Sequence, residues 1–345
     1  GTSHTYVFGG DTTFQPPSPV PVGVLGADIE LDPQTNLHRF ARVLRAEAWE
    51  TDIPSPLTMS HANVKEGDYL LAVNGRELKP TDNADARFIN LAGVQVLLTV
   101  CSKADKSDAR DVQIETLKSD TELRYADWCR RNREYVDTRT SGRVGYFHLP
   151  DMSADGLIKF VKGFYPQTNK DALIIDVRDN HGGFVSQMII ERLNRKVWAY
   201  SRPRRGMIES YPQRVQVGYK CVLIDQHSGS DGDIFPDSFR TLGLGPLIGK
   251  RTWGGVIGIR MDKKFVDSGV SSQPEFAWWD AKRGWSIENH GVDPDIEVEF
   301  RPEDYIAGRD PQLERGIEEM MKMLKDKPIE RPQPPAFPVR APRSE

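Results

Sequence analysis

Cysteine is scarce in this chain of 345 residues, and the three that occur lie far apart. Cys101, Cys129 and Cys221 form neither the short spacings of a metal site nor the even number of a disulfide framework. An odd number of cysteines fits a reducing compartment better than a secreted one. We therefore expect a cytoplasmic protein with no metal site.

Long apolar runs and an excess of positive charge are also missing. No stretch approaches the roughly 20 apolar residues that a membrane-spanning helix needs. The net charge of −4 argues against a protein built to wrap nucleic acid, because phosphate binding requires a basic face. We expect neither a membrane nor nucleic acid as a partner.

The chain has glycine pairs but lacks the usual nucleotide-binding motifs. Gly182 and Gly183 follow an apolar strand, where backbone N–H groups are available to an anion. The segment has no Gly-Lys-Ser/Thr ending, and the three-glycine dinucleotide pattern is absent. We therefore predict no organic cofactor.

The first third of the sequence reads as a short N-terminal piece followed by a small β-rich domain. Residues 1–14 are glycine-rich, and the proline-rich run PPSPVP follows them, as is common in linkers between domains. Short alternating strands then fill residues 18–104, with an Asn74-Gly75 hairpin signal and a predicted helix at 81–92. The segment GDYLLAVNGREL resembles a PDZ domain, although a small β-barrel with an Asn-Gly turn would also fit the pattern.

Strands alternate with helices over residues 111–326. The apolar run Ala172–Val177 is typical of a strand that is buried on both faces of a sheet. Predicted helices cover Ser153–Tyr165, Phe184–Arg195, Asp231–Leu242 and Pro311–Lys325. This alternation predicts an α/β domain with crossover units, followed by a proline-rich tail at 327–345 that is not expected to fold alone.

Two glycine-bearing turns are candidates for chemistry. Ser230 lies in HSGSDGD, between a predicted strand and a predicted helix, where neighbouring N–H groups can stabilise an oxyanion. A simple serine or aspartate helix cap would have the same composition. Gly183 lies at the second turn, before another helix. Three histidines, His4, His227 and His290, could each be proposed as a base from the sequence alone.

The order of these motifs resembles the tail-specific and C-terminal processing serine peptidases. DVRDNHGG, GSDGDIFP, TWGG and ENHGVDPDIEVE occur in that family's order, and the Ser-His pair near the start is similar to the tricorn protease family. The resemblance runs from Ser3 to about Leu324 and includes an inserted PDZ domain. It implies a ββα-superhelix of crotonase-like type for the catalytic domain.

The resemblance also implies a role for each matching residue. Ser230 would be the nucleophile and His4 the general base, with Glu288 and Ser3 orienting the imidazole in a Ser-His-Ser-Glu tetrad. The oxyanion donors would be the N–H groups of Gly183 and Asp231. His227 and His290 have no matching position and are interpreted as loop residues.

Two departures from the family pattern affect the expected substrate and architecture. Ser201 aligns with an acidic family residue that favours basic side chains, so that preference is in doubt here. The β-propellers and helical segment that precede the Ser-His pair in tricorn proteins are not in this sequence. The resemblance also implies a homo-oligomer, namely a hexamer.

The leading hypothesis is a serine endopeptidase or oligopeptidase that acts on peptides through an acyl-enzyme. The alternative is an inactive peptidase-like scaffold that binds peptides through its PDZ domain. A third reading, an enzyme of acyl-CoA thioesters with an enoyl-hydratase-like fold, is disfavoured by GSDGDIF and by the PDZ insertion.

Overall fold

A computed structural model describes residues 4–10 and 19–336 of the chain. By its contacts the chain divides into two compact units, one of residues 1–13 and 133–345 and one of residues 14–132. The first strand, β1 (Val7–Phe8), belongs to the former unit. Among the described residues, no helix has both the length and the apolar character that a bilayer crossing requires.

The unit of residues 14–132 is built on an antiparallel sheet over one apolar core. Its strands are β2 (Ala27–Asp32), β3 (Leu37–Val43), β4 (Tyr69–Val73), β5 (Arg76–Glu77), β6 (Gln95–Cys101) and β7 (Arg110–Glu115). The strand order is β2-β3-β4-β6-β7, with β5 paired to β4. The last strand lies beyond residue 104, where the sequence predicted the end of this domain.

The Asn-Gly hairpin is confirmed, whereas the helix predicted over 81–92 is wrong. Asn74 and Gly75 both have positive φ, 49° and 73°, as a two-residue hairpin turn requires. Only a 3-10 turn, Asp85–Phe88, forms in the second segment. There the side chain of Asp82 accepts the Lys79 N–H, and such local bonds compete with a helix.

A long helix that the sequence analysis missed follows this sheet, α1 (Thr121–Arg139). Its Asp127 side chain is fully buried and accepts hydrogen bonds from Arg42, Arg130 and Arg131. Although burial opposes it, hydrogen bonding to the arginines lowers the pKa of Asp127 to about 2. This carboxylate therefore stabilises the unit in its ionised form.

The unit that contains residues 133–345 has a parallel sheet with helices packed against it. The helices are α2 (Ala154–Phe164), α3 (Ser186–Leu193), α4 (Asp231–Thr241), α5 (Pro302–Ile306) and α6 (Pro311–Asp326). The strands are β8 (Val144–His148), β9 (Ala172–Asp176), β12 (Tyr219–Ile224), β13 (Leu247–Gly249) and β17 (Ile296–Glu297), in the order β17-β13-β12-β9-β8. The predicted α/β alternation is confirmed, whereas the superhelical ββα arrangement stays a prediction.

Three short antiparallel pairs complete this unit. They are β10 (Ala199–Ser201) with β11 (Glu209–Tyr211), β14 (Gly258–Arg260) with β16 (Gln273–Phe276), and β1 with β15 (Val270–Ser271). All pairs of the main sheet are parallel, so β9 and β12 end at the same edge. Both candidate turns follow these two ends.

A buried arginine joins this sheet to α6. Arg178 donates to both carboxylate oxygens of Asp176 and to both of Asp310. Asp310 is also the N-cap of α6, where its side chain accepts the Leu313 N–H. One carboxylate thus neutralises a buried cation and begins a helix.

Replacing Asp310 by alanine is expected to lower the free energy of unfolding by about 3 kcal/mol, because it removes a partner of a buried charge and a helix cap. Urea unfolding measures the change. Asp262→Ala removes an exposed ion pair with Arg260 and is the control, with an expected change below about 1 kcal/mol. Equal effects of the two substitutions would contradict the prediction.

Candidate active site

Ser230 stands on a strained corner between β12 and α4. Its backbone has φ 58° and ψ −123°, a conformation that side-chain-bearing residues rarely adopt, and it occupies the N-cap position of α4. Strain of this kind is found where a nucleophile is held out at a strand-to-helix turn. Although Ser230 occupies the N-cap position, its side chain makes no capping hydrogen bond, so capping of α4 does not explain a serine here.

Gly182 lies directly behind this corner. A β-carbon at Gly182 would sit 2.6 Å from the Ser230 β-carbon and 3.0 Å from the Asp231 nitrogen. The backbone there has φ +77°. Only glycine satisfies both conditions, which explains the glycine pair after β9.

Two backbone N–H groups beside Ser230 find no acceptor among residues 4–10 and 19–336. Gly183 bridges Met152 in strand fashion, with Met152 donating to the Gly182 carbonyl and Phe184 donating back to Met152. Within the described parts of the chain, no hydrogen bond uses the Gly183 N–H or the Asp231 N–H. Unpaired donors at the starts of helices are suited to a developing negative charge.

The Asp231 side chain fixes the two helix starts to each other. Its carboxylate accepts the Ser186 N–H at 3.0 Å and also the Ser186 hydroxyl. Burial raises the pKa of Asp231. Because Ser186 begins α3 and Asp231 begins α4, this contact holds the Gly183 and Asp231 donors in place.

His4 is held by a backbone carbonyl. Its Nδ1 lies 2.9 Å from the Ile257 oxygen. A carbonyl can only accept, so Nδ1 carries the proton and Nε2 is left as the basic nitrogen. The segment around His4 is fixed by the β1–β15 pair and by the Tyr6 N–H, which donates to the Ser272 hydroxyl.

Glu288 contacts the loop that holds His4. Its Oε2 accepts the N–H groups of Val256 and Ile257, at 2.8 and 3.0 Å. It thereby orients the Ile257 carbonyl, which accepts a hydrogen bond from His4 Nδ1. The other residue expected to orient the imidazole, Ser3, lies outside the described residues.

Trp253 was not assigned a role from the sequence. Its ring lies edge-on to His4, with centroids 5.6 Å apart, and a β-carbon on Gly229 would lie 2.5 Å from it. The Trp253 N–H donates to Ser228. The indole therefore packs against both the nucleophile turn and the histidine, and the Trp-Gly-Gly motif was the only sequence signal for it.

Asp233 was also missed. Its side chain is fully buried and accepts the N–H groups of Gly254 and Gly255, at 2.8 and 3.1 Å. Burial raises its pKa to about 6. The sequence placed Asp233 only in the first turn of a helix, where an acidic residue is ordinary.

The remaining candidates lie apart from these contacts. His227 is exposed in its loop, and His290 is exposed and pairs with Asp293 at 2.8 Å. Ser201 is exposed at the end of β10. In the described residues, none of the three forms a hydrogen bond with Ser230, His4 or Gly183.

A cavity of about 520 Å³ opens next to the two donors. Phe184 and Asp231, which line it, are the neighbours of Gly183 and Ser230 in sequence. Its walls combine apolar side chains with carboxylates, among them Ile190, Ile234, Leu242, Trp278, Glu191, Asp237 and Asp280. Clefts of this size beside a reactive group are typical binding sites.

Gly182→Ala is expected to abolish turnover, because the added methyl group would displace Ser230 and the Asp231 N–H. Steady-state hydrolysis of a peptide substrate measures the effect. Gly75→Ala is the control: its φ is similar, +73°, but nothing lies within 4 Å of the added carbon. If both variants retained activity, the close contact behind Ser230 would have no catalytic importance.

Comparison with known proteins gives the same assignment along most of the chain. Peptidase family S41 matches residues 143–298, and the tricorn protease PDZ domain matches residues 23–119. The tricorn protease of Thermoplasma acidophilum is 38% identical over 97% of this chain, and tricorn protease homolog 1 of Streptomyces coelicolor is 38% identical over 98%. The chain spans only 31% of the length of each of these relatives.

A crystal structure of the tricorn protease superposes with a TM-score of 0.86, at 38% identity, over 94% of this chain and 31% of the other. The PDZ interpretation of the β-rich unit is confirmed by the family match. The chain therefore belongs to the tricorn proteases of peptidase family S41.

Proposed function

We propose that this chain hydrolyses peptide bonds of oligopeptides through a covalent acyl-enzyme. The observation that carries the proposal is Ser230, which stands on a strained corner beside two N–H groups that lack an acceptor in the described parts of the chain. That arrangement provides a nucleophile and an anion site together, as acyl transfer requires.

In the first half of the reaction, His4 Nε2 takes the proton of the Ser230 hydroxyl as Oγ attacks the scissile carbonyl carbon. The resulting oxyanion receives hydrogen bonds from the Gly183 and Asp231 N–H groups. His4 then gives the proton to the departing amine as the C–N bond breaks, which leaves an ester on Ser230.

In the second half, His4 takes a proton from water, and the hydroxide attacks the ester carbonyl. The same two donors stabilise the second oxyanion. His4 returns the proton to Ser230 as the acid product leaves. Each oxyanion donor is worth about 3 kcal/mol of transition-state stabilisation, and the cycle uses no cofactor.

Glu288 and Ser3 complete the proposed tetrad. Glu288 supports the imidazole through the Val256 and Ile257 N–H groups, because these fix the carbonyl that accepts from His4 Nδ1. The role of Ser3 rests on the family resemblance alone.

The cavity beside the donors is the proposed site for a side chain next to the scissile bond. It is lined by Phe184 and Asp231, so a bound peptide carbonyl would place its neighbouring side chain there. Ser201 does not line this cavity within its own chain. The role of Ser201 in specificity, like the hexamer, rests on the family resemblance alone.

The alternative is a peptide-binding scaffold without turnover. The outer strands of the PDZ sheet, β2 and β7, each pair on one side only, and an extended peptide can add to such an edge. The proposed cytoplasmic location rests on the small and odd number of cysteines in the sequence.

Ser230→Ala is expected to remove both peptide hydrolysis and labelling by a fluorophosphonate, because no other group can form the ester. A mixture of fluorogenic peptides and intact-mass measurement report the two effects. Ser107→Ala, an exposed serine of the PDZ unit, is the control and should behave as the unsubstituted chain. Hydrolysis by the Ser230→Ala chain would rule out the assignment, and an inert but peptide-binding unsubstituted chain would favour the alternative.

His4→Ala is expected to lower kcat by about 10²–10⁴-fold, the usual contribution of a general base. His227→Ala and His290→Ala are matched controls and should keep full activity, since both side chains are exposed loop residues. A larger loss in either control than in His4→Ala would assign the base to that histidine instead.

A further inference from the structure

Residues 252–257, here called the clamp loop, present four consecutive backbone N–H groups to two carboxylates. Gly254 and Gly255 donate to Asp233, and Val256 and Ile257 donate to Glu288. The next polar atom, the Ile257 carbonyl, accepts from His4. The clamp loop is therefore the element that sets the position of the proposed base.

Asp233 joins the clamp loop to the nucleophile. It is the third residue of α4, the helix that begins directly after Ser230, and its carboxylate accepts the Gly254 and Gly255 N–H groups. The Asp233 N–H in turn donates to the Ser230 carbonyl at 2.9 Å. One residue thus bonds both to the Ser230 backbone and to the clamp loop.

We propose that Asp233 is a positioning residue for hydrolysis, whose ionised carboxylate fixes Ser230 against the loop that orients His4. This inference rests on the proposed serine peptidase function. Asp233 does not touch the reacting atoms in this scheme. It acts by holding together two segments whose relative placement decides whether Oγ and Nε2 meet.

Among the described residues, the carboxylate of Asp233 accepts backbone N–H groups but has no partner of opposite charge. Burial raises its pKa from 3.8 to about 6. Ionisation of Asp233 therefore lowers the stability of the folded state progressively between these two pH values, and the loss is complete above about pH 6. Asp127 is the opposite case, since its arginine partners hold its pKa at about 2.

Because the pKa of Asp233 is raised and that of Asp127 is lowered, the experiment compares Asp233→Asn with Asp127→Asn at pH 8. For Asp233→Asn we expect kcat to fall by about tenfold to a hundredfold with KM changed by less than about twofold, because a small misplacement of the nucleophile is costly. The melting temperature should change little, because removal of a buried charge offsets the loss of an acceptor for one of the two glycine N–H groups. The amide keeps the size of the side chain but offers N–H groups where N–H donors already point.

Asp127→Asn should show the reverse pattern. Its melting temperature should fall, because three arginines lose an ionised partner, and its kcat should stay at the value of the unsubstituted chain. The pair of variants thus separates loss of positioning from loss of stability.

The inference is overturned if Asp233→Asn keeps full kcat, or if it melts earlier or fails to fold, since either of the latter makes Asp233 a structural residue. Ser230→Ala, measured beside it, tests the underlying function. Activity in Ser230→Ala would reject the serine peptidase assignment itself, whereas an inactive Ser230→Ala with a fully active Asp233→Asn would reject only the role of Asp233.

Discussion

The buried backbone N–H groups of the clamp loop need hydrogen-bond acceptors, and the arrangement of the candidate site depends on which groups accept them. Unpaired buried N–H groups are costly, and no strand partner takes those of residues 254–257. Two carboxylates take all four of them. The glycines are required by this arrangement, because a β-carbon on Gly254 would lie 2.4 Å from the Gly291 nitrogen. Asp233, Glu288 and His4 therefore all bond to the same short segment, the clamp loop.

Parts of the fold could be predicted because their signals are local. The apolar run Ala172–Val177 is typical of a doubly buried strand, and Asn74-Gly75 is a strong signal for a tight hairpin turn. The segment at 81–92 misled because Asp82 and Asn83 bond to nearby backbone and favour a turn. The helix α1 was missed because its polar sequence has a weak apolar face, and its buried contact depends on Asp127 and three arginines, one of them distant in sequence.

For the candidate site, the sequence singled out the two glycine-bearing turns but not the contacts between them. Ser230 and Gly183 could be found because glycine and serine at strand ends have a clear chemical meaning. His4 could be chosen over His227 and His290 only through family resemblance. Asp233 and Trp253 gave no such signal, because their roles arise from segments that are far apart in the chain and meet only after folding.

The segment that carries His4 is weakly attached, and under the proposed mechanism this would affect activity. Its segment is tied by a two-residue strand pair and by Tyr6, while the side chains of Tyr6, Val7 and Phe8 remain 40%, 73% and 52% exposed. A segment with so little buried surface opens far more readily than the sheet behind it. Under the proposed mechanism, turnover would scale with the fraction of molecules in which this segment is paired with β15, and a molecule that covers the exposed side chains of Tyr6, Val7 and Phe8 would raise that fraction without contacting Ser230.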